Sequence, residues 1–368
     1  MRRLRVLNVA YPLTQVSPDA CGGTEQLLST LLEEFSRSPH RHSLDCATVA
    51  AAGSRVPGRL IATNAGYWAH PLRAEHLVHA AGQAEFDARH NAAVEAELAR
   101  GGYDLVHNQG GSWYRRAHLT RLPVLFTLHL PASHYPPDFL DHLPANVWLQ
   151  AVSRTQHGHY AAHPRCAGWI GNGVNLRWFT PSDDASGEHF LFLGRICPEK
   201  APHWAIHAAR RLRRPLILAG ALHPFPEHVA YFRRCIAPQL GGDIRWLQAP
   251  NASERREVLR QCRAVLIPAQ AEETSSLVAM EAAACGRAVV ACARGALPEI
   301  VSHGETGLLA DSLEELCEAA GLASAIEPGA CRRRAEREFD AARTAAEYAA
   351  LYRRLAWGAQ PQQSAGVA

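Results

Sequence analysis

The sequence predicts an α/β protein built of two doubly wound domains. Three observations carry that prediction. Short apolar runs rich in Val, Ile, Leu and Phe alternate with helical stretches along most of the chain, the pattern of parallel sheets made from βαβ units. The chain has 368 residues, too many for one ordinary core and suited to two. A polar stretch, "FTPSDDASGEH" from Phe179 to His189, interrupts the alternation near the middle.

The elements follow in order. A first strand is expected at Arg5–Ala10. The basic residues before it imitate a signal peptide, but the apolar run is short, is broken by Asn8 and lacks a cleavage pattern. Further strands are expected at Leu44–Ala51, Leu105–His107, Val124–Leu128 and Trp148–Val152. A second series comprises Gly168–Ile170, Phe190–Leu193, Leu216–Ala219, Ile244–Leu247, Ala264–Ile267 and Ala288–Ala291. Near the end, Phe339, Tyr348, Leu351, Tyr352 and Leu355 recur at helical spacing. The expected division is a first domain over 1–178, a linker over 179–189, a second domain over 190–340, a helix over 341–357 and a disordered tail over 358–368.

Composition narrows the function. A formal net charge of +3 argues against a nucleic-acid binder driven by phosphate neutralisation. No run approaches the ~18 apolar residues of a membrane span. The ten cysteines include no CxxC pair and no His/Cys cluster at zinc spacing, so no metal site is expected. Cys21, Cys197, Cys235, Cys262 and Cys285 read as reduced, mostly buried thiols of a cytoplasmic protein.

One stretch raises a question. In "AEETSSLVAMEAAACGRAVVA", Glu281 sits inside an apolar helix, and Glu273 lies seven intervening residues before it. Ser275 or Ser276 is the expected N-cap and Gly286 the stop. A helix at the carboxyl end of a parallel strand faces the cleft, and its free N–H groups receive an anion. The two carboxylates then mark two ends of a long ligand with an anionic middle, because a carboxylate accepts two hydrogen bonds from a diol. Glu281 placed about two turns inside the helix suits that geometry. The alternative is an ion-paired helix residue. Arg195 and Lys200, in the loop "GRICPEK" after a strand, suit a diphosphate. Gly22 and Gly23 precede a helix beginning near Thr24 and let backbone approach a ligand. His129 ends the strand of "VLFTLHLP" and faces the same cleft.

Together these segments resemble glycosyltransferase family 4, the retaining nucleotide-sugar transferases of the GT-B fold. The resemblance runs from "GGTEQ" through "YDLVH", "LFTLH", "IGNGVNLRWFTP" and "FLGRICPEK" to the Glu273–Glu281 stretch, "GALPEIVSHGETGLL" and the final helix. It implies two Rossmann-like domains facing across a cleft, with the C-terminal helix crossing back to the first. It implies that Glu273 and His129 contact the sugar, Glu281 the ribose, and Arg195 and Lys200 the diphosphate. Gly22, Gly23, Ser275, Ser276 and Leu277 then lie against the donor. Two departures stand out: "TSS", Thr274 to Ser276, replaces the usual Pro-Phe-Gly, and Ala201 follows the lysine where Gly is common.

The implied activity is transfer of a hexose from a UDP- or GDP-linked donor to a hydroxyl acceptor with retention. No cofactor and no metal for the chemistry are expected, and no nucleic-acid partner. The acceptor, a sugar, lipid-linked glycan or small molecule, is expected on the first domain near Leu128–Phe139, where Trp113, His134 and Tyr135 are candidate contacts. The protein is expected in the cytoplasm, with a peripheral place at the inner membrane face left open. The rival readings are a nucleotide-sugar 2-epimerase, a phosphorylase-like enzyme dependent on pyridoxal phosphate, and a catalytically silent nucleotide-sugar binder.

Overall fold

The computed structural model describes residues 2–37, 39–65, 80–182 and 187–358. The expected tail beyond Gly358, and residues 183–186 of the expected linker, lie outside these.

Thirteen described strands form two parallel sheets. In the first, β1 (Leu4–Val9), β2 (Leu44–Ala52), β3 (Arg59–Ala65), β4 (Leu105–Asn108), β5 (Val124–Leu128), β6 (Val147–Ala151) and β7 (Cys166–Trp169) lie in the order β3-β2-β1-β4-β5-β6-β7. In the second, β8 (Phe190–Leu193), β9 (Leu216–Gly220), β10 (Ile244–Gln248), β11 (Ala264–Ile267), β12 (Ala288–Cys292) and β13 (Gly307–Ala310) lie in the order β10-β9-β8-β11-β12-β13. Both orders reverse beside the first strand of the sheet. That switch point is where open α/β sheets bind ligands, at the carboxyl ends of the strands. Strands β4, β5, β11 and β12 are buried at every position, which is why they read as unbroken apolar runs.

The described helices are α1 (Gly23–Phe35), α2 (Ala80–Ala99), α3 (Arg154–Gly158), α4 (Pro202–Arg211), α5 (Pro226–Tyr231), α6 (Ala252–Gln261), α7 (Leu277–Ala284), α8 (Leu297–Ile300), α9 (Leu313–Leu322), α10 (Pro328–Glu338) and α11 (Ala341–Trp357). None is long and apolar enough to cross a membrane.

Three findings differ from the sequence reading. The strand expected at Gly168–Ile170 belongs to the first sheet, where β7 pairs with β6. Two strands were missed. β3, "RLIATNA", is an edge strand without an apolar run, and β13 is a four-residue edge strand.

The chain crosses between domains twice, at adjacent points. Val174 N–H donates to Phe339 at 2.8 Å, and Ala341 N–H donates to Val174 at 3.1 Å. Phe179, at the start of the expected linker, is already packed in the core of the second sheet, and so is Phe339. Just beyond Phe339 the side chains change domain. Tyr348 and Tyr352 of α11 are fully buried against Leu28, Leu32 and Leu125 of the first domain. The periodicity of α11 is therefore the imprint of a domain it joins from outside.

Candidate active site

A cavity of about 320 Å³ opens between the carboxyl ends of the two sheets. Every catalytic and donor-site residue expected from the sequence lines it: Gly22, Gly23 and His129 on the first domain, and Arg195, Lys200, Glu273, Ser275, Ser276, Leu277 and Glu281 on the second.

The second wall is organised by α7. Ser276 is its N-cap, and its hydroxyl oxygen accepts from Ala279 N–H at 3.3 Å. Ser275 is left with another task. Its hydroxyl is buried and has no hydrogen-bond partner among the described residues, an arrangement that is costly unless a ligand supplies one. Glu281 is the fifth residue of α7, so it stands about one turn inside the helix and not two. It is 4 % exposed and lines the cavity. Burial raises its pKa, an effect opposed by Arg255, whose Nε lies 3.8 Å from the carboxylate. The ion-paired reading and the ligand-facing reading of Glu281 thus describe one arrangement.

Glu273 forms an ion pair with Lys200 Nζ. Its backbone is gripped from behind: Ala296 N–H donates to the Glu273 carbonyl at 2.7 Å. Gly295, at φ +57°, makes this approach feasible, because a Cβ there would fall 2.3 Å from the same oxygen. Lys200 ends a single turn after β8, and the next residue, Ala201, is left-handed at φ +48° and fully buried. That conformation is one that glycine adopts without strain.

The first wall holds Gly22, the N-cap of α1, whose helix begins at Gly23. A Cβ on Gly22 would fall 2.0 Å from Glu25 Oε2. Glu25 is buried, its pKa is raised by desolvation, and Thr14 donates to it at 2.5 Å. His129 follows β5. Burial lowers its pKa to about 4, so its ring is neutral near pH 7. Its Nε2 contacts Gln109 Oε1 at 2.8 Å, and its carbonyl accepts from Thr274 Oγ1 of the opposite wall at 2.9 Å.

Sequence reasoning missed Gln109, Thr274, Arg255 and Gly295 as parts of this site. Thr274 and Gly295 lay inside quoted motifs. Arg255 carried no signal, since its position in α6 reads as a solvated helix charge. Trp113 is fully buried in the first-domain core and is removed as an acceptor contact. Tyr135 packs edge-on to Phe126 and tilted on Phe139, while His134 lies in a single exposed turn. The ten cysteines are free thiols, but Cys21 is exposed rather than buried. Cys197, Glu199 and His228 bring ligand atoms within 4.8 Å of one another, a donor set able to hold a divalent cation. No spacing rule exposes it, because the three come from a loop and a separate helix.

Two Rossmann-ordered sheets sharing one cavity at their strand ends have the GT-B architecture. Residues 187–325 match the family model described as Glycosyl transferases group 1. A D-inositol 3-phosphate glycosyltransferase of Corynebacterium efficiens is 30% identical over 308 residues, covering 69% of this chain and 72% of the relative. One of Corynebacterium glutamicum is 28% identical over 303 residues, covering 68% and 72%. The fold matches sucrose-phosphate synthase of Thermosynechococcus elongatus, with a TM-score of 0.78, 19% identity and coverage of 96% and 99%. It also matches Anabaena Alr3699/HepE in complex with UDP-glucose, with a TM-score of 0.70, 18% identity and coverage of 95% and 99%. The chain belongs to the group 1 glycosyl transferases, the family 4 that its sequence resembles.

Proposed function

We propose that the protein transfers a hexose from a nucleoside diphosphate sugar, UDP- or GDP-linked, to a hydroxyl acceptor with retention of anomeric configuration. The observation that carries this reading is the set of groups lining one cavity: Glu281 one turn inside α7, Ser275 and the helix N-terminus, Arg195 and Lys200, and Glu273 and His129. Lys200 pairs with Glu273, and Thr274 beside Glu273 bonds the His129 carbonyl. Carboxylates, cations and a helix N-terminus suit the diols and the diphosphate of a nucleotide sugar. The relatives named for D-inositol 3-phosphate glycosyl transfer, and the neighbour bound to UDP-glucose, support a nucleotide-sugar donor.

The chemistry follows from charge. As the glycosidic bond breaks, negative charge grows on the departing diphosphate, where Arg195, Lys200 and the α7 N-terminus stabilise it. Lys200 then exchanges its contact with Glu273 for phosphate oxygens, freeing the Glu273 carboxylate for sugar hydroxyls. The acceptor hydroxyl attacks the anomeric carbon from the face the phosphate leaves. Its proton passes to the leaving phosphate, so no carboxylate nucleophile is needed. This reading assigns the phosphate charge to side chains and requires no metal. The ten free thiols fit a reducing, cytoplasmic setting.

Titration calorimetry with UDP and GDP on the wild type and Glu281→Gln tests the donor assignment. The wild type should bind one of the two. The variant should bind it at least about tenfold more weakly, as expected for a lost charged hydrogen bond, with an unchanged melting temperature. Equal affinity in a folded variant contradicts the ribose role.

A further inference from the structure

His129 is not oriented by the cavity. Its Nε2 lies 2.8 Å from Gln109 Oε1. An amide oxygen accepts and cannot donate, so Nε2 carries the ring hydrogen and Nδ1 is left as the acceptor. Gln109 is itself 2 % exposed and held from behind. Its Nε2 donates to His107 Nδ1 at 3.2 Å. The same His107 nitrogen receives the Tyr352 hydroxyl of α11 at 2.5 Å, and His107 Nε2 donates to Thr127 Oγ1 at 2.7 Å. His107 Nδ1 is thus a shared acceptor, closer to the Tyr352 hydroxyl than to the Gln109 amide. Burial holds both histidines neutral, which the chain requires.

We propose that Gln109 is a positioning residue that fixes His129 as the neutral Nε2–H tautomer, so that Nδ1 accepts a hydrogen bond from a hydroxyl of the donor sugar. This rests on the reading of His129 as a sugar contact. A ring flipped or turned to the other tautomer would present a donor where an acceptor is needed. Misplacement of that order costs about a hundredfold in rate at an organised site. The titratable and charged groups around His129 are His107 behind Gln109, Tyr135 after β5, and Arg195, Lys200 and Glu273 across the cavity.

The test compares the wild type, Gln109→Leu, His129→Ala, the double variant and Gln109→Glu in full-length protein with a nucleotide-sugar donor. Gln109→Leu should lower kcat at least about tenfold while nucleoside diphosphate affinity stays within about twofold. The double variant should be no slower than His129→Ala, because Gln109 acts through the imidazole. In Gln109→Glu the new carboxylate favours the imidazolium, so the acid limb of the kcat profile should move to higher pH. This variant carries the test if Gln109→Leu fails to fold. If His129→Ala leaves kcat unchanged, the reading of His129 fails and the inference with it. If His129→Ala is slow but Gln109→Leu is not, the inference alone is overturned. It is overturned equally if the double variant falls by the product of the two losses, or if the acid limb does not move.

Discussion

The Thr274 hydroxyl donates to the main-chain carbonyl of His129 at 2.9 Å, joining the two walls of the cavity. Thr274 is the first residue of "TSS", the stretch that departs from the Pro-Phe-Gly implied by the resemblance to family 4. None of those three residues has a hydroxyl, so this bridge comes with the departure.

Thr274→Val keeps the shape and removes the bond. A neutral hydrogen bond of this kind contributes about 1 kcal/mol net, or roughly fivefold in an equilibrium. The variant should lower kcat by roughly that factor through a less closed sugar site, with nucleoside diphosphate affinity unchanged. Steady-state kinetics and calorimetry on the same preparation check both. A loss of affinity without a loss of kcat would place the bridge at the nucleotide end.

Lys200→Ala tests phosphate stabilisation by side chains. Losing one preorganised partner of a developing oxyanion typically costs ~10²–10³ in rate, so kcat should fall and KM should not carry the whole effect. The wild type should stay active after exhaustive EDTA treatment. Full loss with EDTA, restored by a divalent ion, would transfer the charge to a metal. The Cys197–Glu199–His228 group, whose first two members share the loop of Lys200 while His228 comes from α5, would be the first place to look for it.

Ala201 offers a stability test at the same loop. A left-handed residue with a Cβ costs roughly 1–2 kcal/mol, and the buried methyl returns about 0.8 kcal/mol. Ala201→Gly should therefore change unfolding free energy by less than about 1 kcal/mol. Ala201→Val, with a branched Cβ at φ +48°, should lower it by more than about 2 kcal/mol. Urea unfolding of both variants checks the contrast. Equal effects would mean the turn relaxes on substitution.

How much of this was legible in the sequence depends on whether a feature is local. The apolar runs of β4, β5, β11 and β12 are visible because both faces are buried. Edge strand β3 is not, because half its contacts are with water. Glu273, Glu281, Arg195 and Lys200 could be found because each sits at a fixed offset from a strand or helix end. Gln109 and Arg255 could not. Their roles arise from contacts with residues 20 and 26 positions away, His129 and Glu281, which no spacing within one element encodes. The Lys200–Glu273 pair likewise joins two motifs that read independently along the chain.

The most direct measurement is proton NMR of the product formed from UDP- and GDP-hexoses with mixed hydroxyl acceptors in the presence of EDTA. The product should carry the hexose with the same anomeric configuration as the donor, and nucleoside diphosphate should accumulate in equal amount. An inverted anomeric centre, or donor consumed without transfer to any acceptor or to water, would contradict a retaining transferase acting at this cavity.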